Sequence, residues 1–249
     1  MRIKILKGAF VCALLLFFIS VQAQTFGELY YEQLSYGPPQ RLRIHLKLVR
    51  LCSLDSSGIS FQRTIYIIDR QNNQTISADL SLDSSRQMRR TNDPCIVSPS
   101  GDCYTIFYLH TDITNSFTGI FGFVTYLGCC RSFQNLSYED NTEEFTNIAY
   151  SIKIPAPSQK INNSNAYFTT DTILHSCLNK PFIYNQRAVD ADGDSLVYSF
   201  VKAIQYRVKK QNGEIIERIP IQPYPSYFYN APFDTFPPLG SQIKIDSKT

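Results

Sequence analysis

The sequence has no tryptophan and only three histidines, His45, His110 and His175, among 249 residues. Histidine is the side chain most often recruited as a general base or metal ligand near neutral pH, so its scarcity removes many catalytic arrangements. The Gly-x-Ser-x-Gly elbow, the phosphate-binding glycine loops and the His-Glu-x-x-His helix are all missing. Cys-x-x-Cys and His-x-x-x-His spacings are missing too, which places a zinc site well behind disulfides as the use of the cysteines. No amphipathic helix can be traced after the N-terminal segment, because apolar residues do not recur at three- and four-residue spacing. Strong charge of one sign is also lacking. The formal net charge is +3, and Arg2, Lys4 and Lys7 carry three positive charges, leaving 3 − 3 = 0 for the remainder. Nothing in that balance calls for nucleic acid or an anionic membrane as a partner.

What is present starts with a targeting segment. Arg2, Lys4 and Lys7 form a basic region, Ala9 to Ile19 an apolar one, and Val21-Gln22-Ala23 offers small residues at a cleavage position. The apolar run is short for a membrane span. Cys12 lies inside it without the residues that precede a lipid-modified cysteine, so residues 1–23 read as a cleaved secretory signal. The expected location is secreted or on the outer cell surface, with no transmembrane segment after cleavage.

Six cysteines then remain: Cys52, Cys95, Cys103, Cys129, Cys130 and Cys177. An even number in an exported chain points to disulfides, in a pairing that sequence cannot choose. Cys95 and Cys103 could close a short loop. The adjacent Cys129 and Cys130 face opposite sides if they lie on a strand, and so seek different partners.

A hydrophobic share of 43%, with 16 Tyr and 17 Phe, suits pleated, half-buried surfaces. Arg41 to Leu48 alternates strictly, which predicts a strand with Leu42, Ile44, Leu46 and Leu48 inward and His45 toward solvent. Further strands are expected at 27–36, 61–69 with a hairpin return at 75–82, 103–113 paired with 117–127, and 147–154. Residues 84–101 read as a polar loop. Beyond Pro155-Ala156-Pro157, the expected strands are 166–172, 182–184, 196–203 and 243–245, with a hairpin of 206–208 and 215–219 turning at Asn212-Gly213. Residues 224–238 read as an irregular aromatic loop. The proline pair divides the chain into domains 24–157 and 158–249, and Cys177 leaves the first with an odd five cysteines. Short strands at regular spacing imply β-sandwiches.

One stretch stands apart. Asp190, Asp192 and Asp194 alternate around Gly193 and lead directly into apolar Leu196 to Val201, read as a strand buried on more than one face. Three hard oxygen donors can hold Ca²⁺. The arrangement is not an EF-hand, because Gly193 is two places early and Val201 fills the position of the closing glutamate. A calcium ion here would need ligands from another loop. The plainer alternative is a solvated acidic turn.

Several of these segments, in order, carry a resemblance. Gly27-Glu28-Leu29-Tyr30-Tyr31, Leu46-Lys47-Leu48-Val49-Arg50-Leu51-Cys52, Asp93-Pro94-Cys95, Cys129-Cys130-Arg131-Ser132 and Asp190 to Tyr198 resemble a module of secreted Bacteroidota surface proteins. These are the gliding-motility-associated or type IX secretion sorted proteins. Leu51, Val49 and Ser132 depart from the module's usual Asp, Tyr and Asn. The resemblance implies tandem immunoglobulin-like or cadherin-like sandwiches, exported, without known chemistry, and with an acidic motif often thought to bind Ca²⁺. It also implies an N-terminal fragment of a longer protein, whose second domain stops before its last strand.

The expected function is a non-catalytic structural or adhesin-like surface module, possessing a Ca²⁺-stiffened turn if the ion binds. Its expected partners are other domains of a longer protein, an extracellular protein or a glycan. A Cys177–His175 dyad is conceivable, but a disulfide would remove its thiolate, and paired carboxylates for glycoside hydrolysis are left open by sequence. The alternative function is carbohydrate binding on a platform of Tyr224, Tyr227 and Tyr229.

Overall fold

The computed structural model describes residues 25–35, 39–52, 63–69, 74–90, 102–115, 121–129, 136–138, 147–159, 162–170, 181, 183–200, 205–211, 214–221 and 227–229. Their regular secondary structure is almost wholly strand. Two antiparallel four-stranded sheets carry the first part of the chain. One has the order β1 (Thr25–Gln33), β2 (Gln40–Leu51), β6 (Asp102–Asn115), β5 (Ser81–Arg90). The other has the order β4 (Gln74–Asp79), β3 (Thr64–Asp69), β7 (Phe121–Cys129), β9 (Asn147–Pro155).

The two sheets bury their facing sides in one core. Leu42, Ile44, Leu46 and Leu48 of β2 are all at most 1% exposed, as the alternation of Arg41 to Leu48 requires. They pack with Leu29 and Tyr31 of β1 and Leu109 of β6 against Ile65 of β3, Val124 and Tyr126 of β7 and Ile154 of β9. The polar groups at one end of the core are satisfied. Asn115 and Gln40, partners in register, are joined by a side-chain bond of 2.6 Å, and Asn115 Nδ2 also donates to the Pro155 carbonyl at 3.0 Å. That second bond ties one sheet to the other.

Several expectations are corrected here. Residues 84–90, expected to begin the 84–101 loop, are strand: β5 pairs along its length with β6. Its polar sequence fits an edge, where Ser81 to Gln87 are exposed on both faces and contribute nothing to the core. The return from β3 therefore ends at Asp79. Leu80, buried and donating its N–H to the Arg63 carbonyl at 2.6 Å, carries the chain across to the other sheet. Strands β6 and β7 do not form a hairpin either, since β6 pairs with β2 and β5 while β7 pairs with β3 and β9. Alternation announces strands but not which sheet they join.

After a 3-10 turn at Pro157–Gln159, the strands are short. Strand β10 (Tyr167–Phe168) pairs with β11 (Ala188–Val189), and β12 (Gln205–Gln211) with β13 (Glu214–Ile221). The β12–β13 hairpin is the expected one, and its turn, 212–213, is outside the described residues. Strand β14 (Tyr227–Tyr229), in the stretch read as irregular, pairs with β8 (Leu136–Tyr138), so chain from both sides of the Pro155-Ala156-Pro157 break shares a sheet. Among the described residues 196–200, the buried strand expected from Leu196 is not found. Val197 forms an isolated bridge and is 79% exposed, and Ile183 is 97% exposed and not in a strand. Apolar, β-prone residues become a strand only where a ladder partner is available. The expected strand 243–245 lies outside the described residues.

Candidate functional site

The acidic stretch folds as a hydrogen-bonded turn. Asp190 Oδ1 accepts the N–H of Asp192 at 2.9 Å and the N–H of Asp194 at 3.2 Å. Aspartate favours this local bonding to amides just ahead of it. Gly193 donates to the Asp190 carbonyl at 3.4 Å with φ of 82°, a left-handed conformation that glycine adopts without a Cβ penalty. Nearby, the Tyr198 hydroxyl accepts the Ala188 N–H at 3.0 Å, bracing β11 against the motif's far end.

The turn is also fastened to the sandwich. Asp192 Oδ2 accepts the backbone N–H of Ser164 at 2.5 Å, and Ser164 Oγ accepts the N–H of Gln33, at the end of β1, at 3.2 Å. Gln33 Oε1 accepts the Asn163 N–H at 3.0 Å, and Asn165 donates to the Tyr31 carbonyl at 2.9 Å. Residues 163–165 thus lie along the outer edge of β1, with the acidic turn behind them. The Tyr31 hydroxyl registers the same arrangement. Burial raises its pKa above the usual phenol value, a hydrogen bond with Asn163 opposes that, and the charges of Asp192 and Asp190 add to it.

Two residues farther on, a second fastening takes over. Glu28 and Lys47 stand opposite each other on β1 and β2, and their charged ends meet at 3.0 Å with side chains only 12% and 11% exposed. Glu28 Oε1 accepts the Phe168 N–H at 2.6 Å, while Lys47 Nζ donates to the Phe168 carbonyl at 3.1 Å. The pair grips both backbone groups of one residue in β10. Tyr167 stacks on Tyr30 with ring centroids 5.1 Å apart, and Tyr30 stacks on His45 at 4.7 Å and 10°. Burial with neighbouring negative charge pushes the Tyr30 hydroxyl up to about 12.

His45 sits on the outward face, as alternation requires, but the Tyr30 ring covers it and leaves its side chain 23% exposed rather than free in solvent. Burial lowers its pKa, opposed by the hydrogen bond to Glu32. His110, its register partner on β6, meets Asp83 at 2.5 Å. Beside them Arg43 clasps Asp112 through two bonds of 2.7 and 3.0 Å, and that clasp holds the Asp112 carboxyl below the usual carboxylate range.

The cysteines are partly placed. Cys52 is bonded to Cys103, with Cα atoms 5.4 Å apart, so the short Cys95–Cys103 loop does not form. The reason is register: Leu51 lies opposite Tyr104 on β2 and β6, which brings the next pair outward, Cys52 and Cys103, face to face. Cys95, Cys130, Cys177 and His175 lie outside the described residues, as do the side chains of Cys129, Tyr227 and Tyr229 and all of Tyr224. Asp190, Asp192 and Asp194 are together in one turn, yet among the described residues no group of three or more His, Cys, Asp or Glu is placed to hold a metal ion. No described helix is long and apolar enough to cross a membrane.

Sequence reasoning singled out the acidic turn but not what it fastens to. Gln33, Ser164, Glu28, Lys47 and Phe168 are polar or ordinary positions whose roles arise only when β1 and the 163–168 segment come together. Comparison of the chain with family models, curated proteins and solved structures finds no match.

Proposed function

We propose that this chain is a non-catalytic, secreted or cell-surface structural module, adhesin-like in role, whose acidic turn holds successive segments in register. The observation that carries the reading is the relay from Asp192 through Ser164 to Gln33. Carboxylates that spend oxygens on backbone amides of their own chain are acting as joints. The Cys52–Cys103 disulfide suits an oxidising location, and the resemblance to Bacteroidota surface modules supplies the tandem immunoglobulin-like or cadherin-like arrangement as part of the same reading.

The test compares Asp192→Ala with Asp192→Asn. An asparagine oxygen can still accept the Ser164 N–H, whereas alanine cannot. Amide exchange at Ser164 and Gln33 should therefore quicken in Asp192→Ala and change little in Asp192→Asn, with no turnover by either chain on polysaccharide and peptide panels. Measurable turnover lost on a single His or Asp substitution would overturn the reading. The same chains read out calcium. An ion bound at Asp190, Asp192 and Asp194 makes the melting temperature fall on chelation in the parent and not in Asp192→Asn. A turn held by hydrogen bonds alone melts identically with Ca²⁺ and with chelator.

A further inference from the structure

We propose that His45 and His110 form a two-imidazole binding site for a divalent transition metal, copper(II) above zinc(II), on the outward face of the β1-β2-β6-β5 sheet. The two residues are direct partners in the β2–β6 ladder. Their neighbours Ile44, Leu46 and Leu109 point into the core, so both imidazoles project from the same outer face, as opposite residues of an antiparallel pair do. Their side chains are 23% and 31% exposed, open to solvent yet held.

The rings stand with centroids 6.4 Å apart, tilted by 41°. Two imidazoles on adjacent positions of a tetragonal copper(II) ion, with metal–nitrogen bonds of about 2.0 Å, have centroids roughly 4.5 Å apart, and on a tetrahedral zinc(II) ion roughly 5 Å. Closing that gap calls for the two rings to turn toward each other about their side-chain torsions. Each ring already has an orienting partner. His110 Nδ1 bonds Asp83 Oδ1 at 2.5 Å, which leaves Nε2 as the donor in the carboxylate–histidine–metal arrangement that fixes a ligand's tautomer. Glu32 Oε2 stands 3.5 Å from His45 Nε2 and leaves the other ring nitrogen for the ion. Tyr30 fixes the plane of His45.

The surrounding charge fits a cation. Glu32 and Asp83 flank the two rings, and Arg43, whose charge reaches His45, is clasped by Asp112. Imidazole suits copper and zinc, and copper(II) stands highest in the affinity order of the divalent series. Among the described residues no third His, Cys, Asp or Glu joins the pair as a ligand, so water completes the shell, and the site is exchangeable and moderate in affinity. An ion held there would link β2 to β6 across the face next to the Glu28–Lys47 grip.

The experiment titrates CuCl₂ into the full chain in chelator-free buffer, with calorimetry for affinity and electron paramagnetic resonance for ligand identity. The expected result is one equivalent of moderate affinity whose spectrum shows coupling to two imidazole nitrogens. Affinity should drop at least about tenfold in His45→Gln and in His110→Gln, and about tenfold in Asp83→Asn, which removes only an orienting partner. Circular dichroism and amide exchange at Leu46 and Leu109 establish that each variant is folded. A spectrum without two imidazole nitrogens overturns the proposal. So does an affinity unchanged in folded His45→Gln, because the ion then sits elsewhere in the chain.

Discussion

Breaking the Glu28–Lys47 pair should loosen the 163–168 segment while leaving the sandwich folded. The charges are 3.0 Å apart and nearly buried. Their Coulomb attraction at an effective dielectric of about 20 is roughly 5 kcal/mol, and desolvation of two ions offsets most of it. The pair as a whole therefore adds little. Removing one member is different, because the remaining charge keeps its desolvation cost, and such losses are about 3–5 kcal/mol. Glu28→Ala also takes away the acceptor of the Phe168 N–H, and Lys47→Met the donor to the Phe168 carbonyl. Each single variant should then cost about 3 kcal/mol or more. The double variant should cost clearly less than the sum, with a coupling of roughly 2–3 kcal/mol, as neighbours in one network show. Urea melts of the four chains give the cycle, and amide exchange gives the location. The Phe168 amide should lose protection in Glu28→Ala while the amides of β2 keep theirs. Additive costs, or a Phe168 amide equally protected in all four chains, would refute the reasoning.

Three shorter predictions follow from other parts of the fold. The Cys52–Cys103 bridge spans a sequence separation of 51, and a loop of that size should restrict the unfolded chain by about 4 kcal/mol. Replacing both cysteines with alanine should lower the unfolding free energy by that order, and a loss under about 1 kcal/mol would show that the bridge does not act this way. A Cβ placed on Gly27 would come within 2.2 Å of the Lys47 carbonyl oxygen and 2.9 Å of Leu48, so Gly27→Ala should push β1 off β2 and cost about 1–3 kcal/mol. An unchanged melting temperature would refute that. His45 protonates less readily folded than unfolded, because burial lowers it from the ordinary 6.5. Stability should thus be full above about pH 6.5 and decline as pH falls from there toward the folded value. His45→Gln should flatten that decline, and identical slopes in the two chains would exclude His45 as its source.

The core of the two-sheet unit was legible because β2 repeats with period two, and the four apolar positions it assigned inward are all at most 1% exposed. The all-β class followed from the same signal. Strand β5 was illegible for a physical reason: Ser-Leu-Asp-Ser-Ser-Arg-Gln-Met-Arg-Arg has no apolar face, and only the ladder with β6 makes it a strand. The Cys52–Cys103 pairing needed the β2–β6 register, which no local spacing reveals. The acidic turn was read correctly as a turn, since Asp and Gly encode it locally. Its attachment to Ser164 and Gln33 was hidden, because backbone amides have no signature in sequence. Of the strand expected after it, residues 196–200 show only the single bridge at Val197.

The two edges of the β1-β2-β6-β5 sheet are handled in opposite ways, and the difference bears on what the module is for. An open edge strand invites pairing with foreign chain, and proteins blunt it with charge, bulges or a cover. Strand β5 uses charge and irregularity: Asp83, Arg86 and Arg89 are exposed, and the register shifts between Leu82 and Ser84. Strand β1 uses a cover. Residues 163–165 bond its Gln33 and Tyr31 backbone, and Glu28 holds Phe168. A cover made from the segment that follows the sandwich does two things at once. It closes the edge, and it fixes the direction in which the chain leaves. The acidic turn secures that cover from behind through Asp192. Loosening the turn would therefore uncover β1 and release residues 163–165 together.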